Sequence, residues 1–390
     1  MPSDPDRRAR WPDRRPGADR RLVHVEGREL PDEDVIVAAG PPLPLWRRGA
    51  YLFIGLGLFV TALGFMKAGA SELVDVLEGS IFTDSAWSTL GFGWLGACLV
   101  LSGSPIAASA LALLDGGAID RVQSFTMLTG SRLGAAFVVL VAGTVYAVRH
   151  TTGDGRRAPI SIGILSLLMT MVTYVPGALI GYALLERGTF DGFDIGTSPG
   201  LTSATDAVFG WAVDAGRDVL PSWSLFPVGL VVLLGGFAMF DKVLPAVGGA
   251  ELEDRPDSWY DRKWPMFLLG CGVCLLTLSV SVALTVLVPL VAKGYLRRAN
   301  TLPYIAGANI TTLADTLVAA VLLGNQDAVR VVLAVTVSVT VWTLLVLTVA
   351  YPAVRRGCLG LARLALESTS RLVAFVAILF AVPLFLIVAL

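Results

Sequence analysis

Residues 277–315 read TLSVSVALTVLVPLVAKGYLRRANTLPYIAGANITTLAD. The stretch opens with serines inside an apolar segment, turns through a basic cluster and returns through the polar run Gly307-Ala308-Asn309-Ile310-Thr311-Thr312. An earlier copy reads LSGSPIAASALALLDGGAIDRVQSFTMLTGSRLGA over residues 101–135. Sliding one onto the other by 177 positions needs no gap. Leu101 then falls on Leu278, Ser102 on Ser279, Ser104 on Ser281, Gly117 on Gly294, Arg121 on Arg298 and Gly130 on Gly307. These are mostly small and polar positions, which an apolar composition does not match by chance. The pattern predicts an internally duplicated membrane protein with its working parts where the repeats meet.

Composition supports that class. Hydrophobic residues make up 55% of the 390 and charged residues only 16%, which excludes an ordinary soluble domain. Several apolar runs reach the roughly 20 residues that a helix needs to cross a bilayer. Four cysteines and two histidines leave no disulfide framework and little metal chemistry. Cys271 and Cys274 form a C-x-x-C inside the apolar run FLLGCGVCLLTL, where small residues for close helix packing are expected rather than a redox pair.

Residues 1–46 are rich in Arg, Asp and Pro and carry no helical or strand period, which predicts a disordered cytoplasmic tail. The tail lacks the apolar core and cleavage site of a signal peptide. Apolar segments follow at about 50–67, 88–114, 124–148, 160–185, 224–247, 265–292, 303–323, 329–351 and 371–390. Segments 88–114 and 265–292 carry the serine motif near their middle, and Gly103 and Pro105 break the first. Backbone groups freed at such a break must be satisfied by protein or water.

Loop charges decide how those two segments run. If both are re-entrant hairpins, the cations of 149–158, 248–264, 293–302 and the basic loop 352–370 all share the cytoplasmic side with the tail. The acidic stretches 68–87 and 186–223 then face outward. Two full crossings would move 149–158 and 248–264 outside with their arginines. The expected fold is therefore an all-α polytopic membrane protein with two inverted-topology repeats. Repeat 1 spans 47–185 with hairpin 88–114, and an external linker occupies 186–223. Repeat 2 spans 224–351 with hairpin 265–292, and 371–390 is an extra span.

On these residues the chain resembles the sodium–phosphate cotransporter family, the type II group and its bacterial relatives. Each of that family's two repeats carries a Gln-Ser-Ser-Ser hairpin followed by a Gly-Ala-Asn-Ile-Gly-Thr-type segment. Here the second repeat has Leu278-Ser279-Val280-Ser281 and then Gly307-Ala308-Asn309-Ile310-Thr311-Thr312. The first has Leu101-Ser102-Gly103-Ser104 and then Gly130-Ser131-Arg132-Leu133-Gly134. Gly55–Ala70 also looks like the family's first helix, so the resemblance covers roughly 50–350. It implies import of phosphate driven by sodium, with both enclosed by the hairpins. The chain departs from the pattern at both glutamines (Leu101, Leu278), both middle serines (Gly103, Val280) and the first asparagine (Arg132).

Coupled transport of an oxyanion needs donors for the anion and oxygens for a hard cation, and hydroxyls supply both. Ser102, Ser104, Ser279 and Ser281 are expected at the hairpin tips, with Asn309, Thr311 and Thr312 on the facing helix. Sodium would sit at Ser279, Ser281, Asn309 and Thr312. Arg132 costs at least about 2.5–3.5 kcal/mol in mid-membrane, so it should face a cavity or a partner. Asp315, one helical turn beyond Thr311 and Thr312, is the expected partner. Arg132 would grip the anion, stand where the family keeps sodium, or form a structural ion pair.

The leading function is a sodium-coupled secondary transporter of phosphate or a similar inorganic anion in the cell membrane. A non-transporting protein that kept the fold is the alternative. No hydrolase, zinc-protease or Walker motif is present, so no enzyme activity and no cofactor are expected. Nucleic acid is not an expected partner, and a homo-oligomer is compatible with the sequence.

Overall fold

A computed structural model of the chain describes residues 44–74, 80–150, 157–192, 210–243, 262–294 and 296–389. The expected tail up to residue 43, and parts of the stretches 149–158, 186–223 and 248–264, lie outside the described residues. The described residues are helical with turns and contain no strand. Among the described residues, seven helices are long and apolar enough to cross a membrane: Trp46–Leu73, Arg121–Arg149, Arg157–Glu186, Ser222–Met239, Arg298–Leu323, Gln326–Leu366 and Thr369–Val388. In chain order the elements used below are α1 (Leu45–Ala70), α2 (Ala86–Val100), α3 (Ser104–Asp115), α4 (Arg121–Ala135), α5 (Phe137–His150) and α6 (Arg157–Glu186). There follow α7 (Ser222–Val243), α8 (Lys263–Thr277), α9 (Val280–Thr285), α10 (Leu287–Ala292), α11 (Arg298–Thr311), α12 (Leu313–Leu323), α13 (Gln326–Leu345), α14 (Tyr351–Leu366) and α15 (Thr369–Ala389).

The helices of the two serine segments are each too short to cross. At helical rise α2 covers about 22 Å and α3 about 18 Å, against a hydrocarbon core of about 30 Å. Ser85 starts α2 by a reciprocal capping box with Ser88, and Leu101 ends it in the left-handed region at φ 57°. Leu278 ends α8 in the same way at φ 48°. Among the described residues these are the two non-glycine residues with positive φ, and they lie 177 positions apart. Gly117 and Gly294, also aligned, have φ 76° and 82°.

Packing repeats as well. A Cβ on Gly130 would meet the Leu90 carbonyl oxygen at 2.1 Å, and one on Gly307 would meet that of Phe267 at 2.1 Å. A Cβ on Gly93 or Gly270 would come equally close, 2.1 and 2.0 Å, to the carbonyl oxygens of Met127 and Tyr304. Bare backbone at these four positions lets α2 lie against α4, and α8 against α11.

The start of each broken segment lies near the start of the long helix that follows it. Gln123 donates to the Thr83 carbonyl at 2.6 Å, so the start of α2 lies beside the start of α4, a few residues after α3 ends. Arg121 there reaches Asp327, at the start of α13 (3.2 Å). The second segment starts at the other end of that same long helix. Lys263 donates to the Leu347 carbonyl at 2.9 Å, and Tyr351 to the Ala299 carbonyl at 3.4 Å.

One stretch differs from the sequence reading. Residues 352–370, read as a basic loop, are helical from Tyr351 to Leu366, so the helix begun at Gln326 continues without a loop. A π-turn at Val346–Ala350 absorbs Pro352, which has no N–H to continue the α-ladder. The C-terminal span α15 packs against α2. A Cβ on Gly91 of α2 would meet the Pro383 carbonyl oxygen of α15 at 2.4 Å. At the centre stands α6, apolar around most of its surface and packed by α4, α5, α10, α11, α13 and α14.

Candidate functional site

The two turns meet. Ser281, in the first turn of α9, donates to the carbonyl of Leu101 at 3.4 Å. Ser279 is tied to its own turn: its hydroxyl caps α9 by accepting from the Val282 N–H at 3.3 Å. Ser102 is half-buried in the first turn, and its N–H reaches the Ala97 carbonyl at 3.2 Å. Ser104 is buried at the start of α3, next to Pro105.

Both turns flank Arg132. Gly103 sits against α4 so closely that a Cβ would be 2.8 Å from the Ser131 carbonyl oxygen and 2.9 Å from the Ala135 Cβ. Val280, from the second turn, lines a cavity of about 10 Å³ together with Arg132, Tyr174, Asn309 and Thr312. That volume is at the threshold for one water.

Arg132 lies 3.4 Å from Asp315, their side chains 1% and 6% exposed. It also donates to Thr312 at 3.1 Å and to Thr316, and Thr316 in turn donates to Asp315 at 2.9 Å. Helix spacing explains the cradle: positions 312, 315 and 316 share one face, so α11 and α12 offer two hydroxyls and a carboxylate to one guanidinium. The cluster is not saturated. Arg132 Nε and Asp315 Oδ2 are buried without hydrogen-bond partners.

Asn309 does not reach Arg132's partners. Its side-chain amide donates to Thr170 at 3.1 Å and Thr173 at 3.3 Å, while Tyr174 donates to its backbone carbonyl at 2.7 Å. Thr311 turns back on its own helix, donating to the Gly307 carbonyl at 3.2 Å. Of the expected set, the structure therefore brings together Arg132, Thr312 and Asp315, with Asn309 on the same cavity and Ser281 joining the turns. Thr316 was not singled out in the sequence, although its i+4 spacing from Thr312 beside Asp315 was a readable signal. The grip of Thr170, Thr173 and Tyr174 on Asn309 had only a shared helical face to announce it. Cys271 and Cys274 are free thiols, and Cys271 donates to the Gly307 carbonyl at the close α8–α11 crossing.

Among the described residues, seven apolar helices, two paired sets of short helices and a buried polar cluster where their turns meet define a multi-pass membrane protein. The family model of the Na+/Pi-cotransporter matches residues 232–388. The match covers less than half of the chain, and over those residues the chain is similar to the sodium–phosphate cotransporter family, which is one of cotransporters rather than enzymes. The matched residues include the second turn, Asn309 and Asp315 but not Arg132. Comparisons with curated proteins and with solved structures give no match.

Proposed function

We propose that the chain is a membrane transporter of phosphate or a similar inorganic anion, with the Arg132 guanidinium standing where a coupling sodium would otherwise sit. The observation that carries this reading is the cradle: Thr312, Thr316 and Asp315 present oxygens to Arg132 in the buried interior. Hydroxyl and carboxylate oxygens are the ligands that hard cations take. A guanidinium in their midst supplies the same positive charge from a covalent tether, balanced by Asp315.

Transport follows from how the turns are mounted. In this reading α2–α3 and α8–α10 are re-entrant hairpins of inverted repeats, since their helices are too short to cross and each set starts near the start of the long helix that follows it. Their tips meet at Ser281 and Leu101, beside Arg132. Parting the tips on one side and then the other would open the polar cavity alternately to each face. An anion admitted on opening would meet Arg132, whose Nε lacks a partner. The positive-inside reading puts the N-terminus in the cytoplasm of a plasma-membrane protein.

A second reading is a membrane protein that kept the fold and lost transport. Leucine side chains at both turn positions, Leu101 and Leu278, favour it by removing the polar groups the resemblance expects. Labelled phosphate uptake by proteoliposomes holding the purified chain separates the two. Uptake above that of empty vesicles, little changed when potassium replaces sodium, is the expected result. No uptake under any cation gradient would leave the second reading.

A further inference from the structure

A second cavity, of about 190 Å³, opens where α8, α11 and α14 begin. It is lined by Arg262, Lys263 and Arg355, with Asn300 and Tyr351. Its volume is more than ten times the roughly 10–15 Å³ that one water requires, so it admits a ligand of several atoms. Among the described residues, neither Arg262 nor Arg355 meets a carboxylate, and no acidic residue lines the cavity. Three cations gathered around a hollow repel one another unless an anion joins them.

The construction favours that anion. Arg262 is the N-cap of α8 and no side chain caps the helix, so backbone N–H groups at its first turn add to the positive potential there. Lys263 is fixed by the Leu347 carbonyl released in the π-turn, and lies 5.5 Å from the Trp264 ring and 5.9 Å from that of Tyr351. Aromatic rings beside basic residues at the end of a membrane helix mark the headgroup level, and basic pockets between such helices take phosphorylated headgroups.

We infer that this pocket binds a phosphate group, either of an anionic phospholipid or as the free ion, at a site separate from the Arg132 centre. The inference does not depend on transport and stands whether or not phosphate crosses the membrane. The test uses the purified full chain and the Arg262→Gln/Arg355→Gln variant. Both arginines are exposed and lack carboxylate partners, so the variant should elute from size exclusion like the wild type. Native mass spectrometry would compare phosphatidylglycerol with phosphatidylcholine, and calorimetry would titrate inorganic phosphate alone. Retention of phosphatidylglycerol over phosphatidylcholine, weakened at least tenfold in the variant, assigns a lipid headgroup. Inorganic phosphate binding weakened to the same degree, with no lipid preference, assigns the free ion. Neither ligand binding, or both binding wild type and variant alike, overturns the inference.

Discussion

Arg132 and Asp315 approach to 3.4 Å in the interior of the bundle, one from each half of the duplicated chain. Removing one partner of a buried pair leaves an uncompensated charge, at about 3–5 kcal/mol, whereas replacing both with apolar groups is often neutral or better. Arg132→Met and Asp315→Leu should therefore each lower the melting temperature in detergent. The double variant should melt above either single one. A double variant that loses the sum of the two would show that the pair does not couple.

The turn leucines offer a second test. Leu101 and Leu278 sit in a left-handed conformation that costs an L-residue about 1–2 kcal/mol, and both are more than a third exposed. Replacement by glycine should be tolerated or stabilising by up to about 1 kcal/mol. Replacement by valine, stiff at its β-branch, should destabilise by more than 1 kcal/mol. Thermal unfolding of the four variants checks this, and the two positions should respond alike.

Close crossing of α2 with α4 and of α8 with α11 rests on glycine. Gly130→Ala and Gly307→Ala would each drive a Cβ to 2.1 Å from a backbone carbonyl oxygen that cannot swing away. Each change should cost about 1–3 kcal/mol through forced backbone shifts, read as a lower melting temperature. Gly272→Ala, with nothing within 4 Å, is the matched control and should change little.

Re-entrance predicts sidedness. Arg262 and Lys293 bracket the second short-helix set, so Arg262→Cys and Lys293→Cys should react with an impermeant maleimide from the same side of the membrane. The background would lack the four native cysteines. Reaction from opposite sides would mean that the segment crosses fully.

Much of the architecture was legible because it is written in long-range periodicity. The apolar runs located the spans, and the Leu101 and Leu278 motifs marked where two of them break. The repeat shift of 177 also anticipated which residues share a backbone conformation, down to Gly117 and Gly294. The helical run at 351–366 was not legible, because arginine-rich composition reads as a loop while the π-turn before Pro352 that carries the helix through has no sequence signature of its own. Asp315 was readable as a partner of Arg132 from helical spacing and the repeats. The grip of Thr170, Thr173 and Tyr174 on Asn309 was not, since hydroxyls on apolar helices bond their own backbone as readily as a neighbour. Only the crossing of α6 with α11 decides between those options.

The most direct measurement is labelled phosphate uptake by wild type and Arg132→Asn in parallel, each with sodium and with potassium. The tethered cation leaves the wild type nearly indifferent to the exchange. Without the guanidinium, Asp315, Thr312 and Thr316 need a mobile cation, so uptake by the variant should require sodium. The same cation response in both proteins would contradict the account, as would the absence of uptake from the wild type under every gradient.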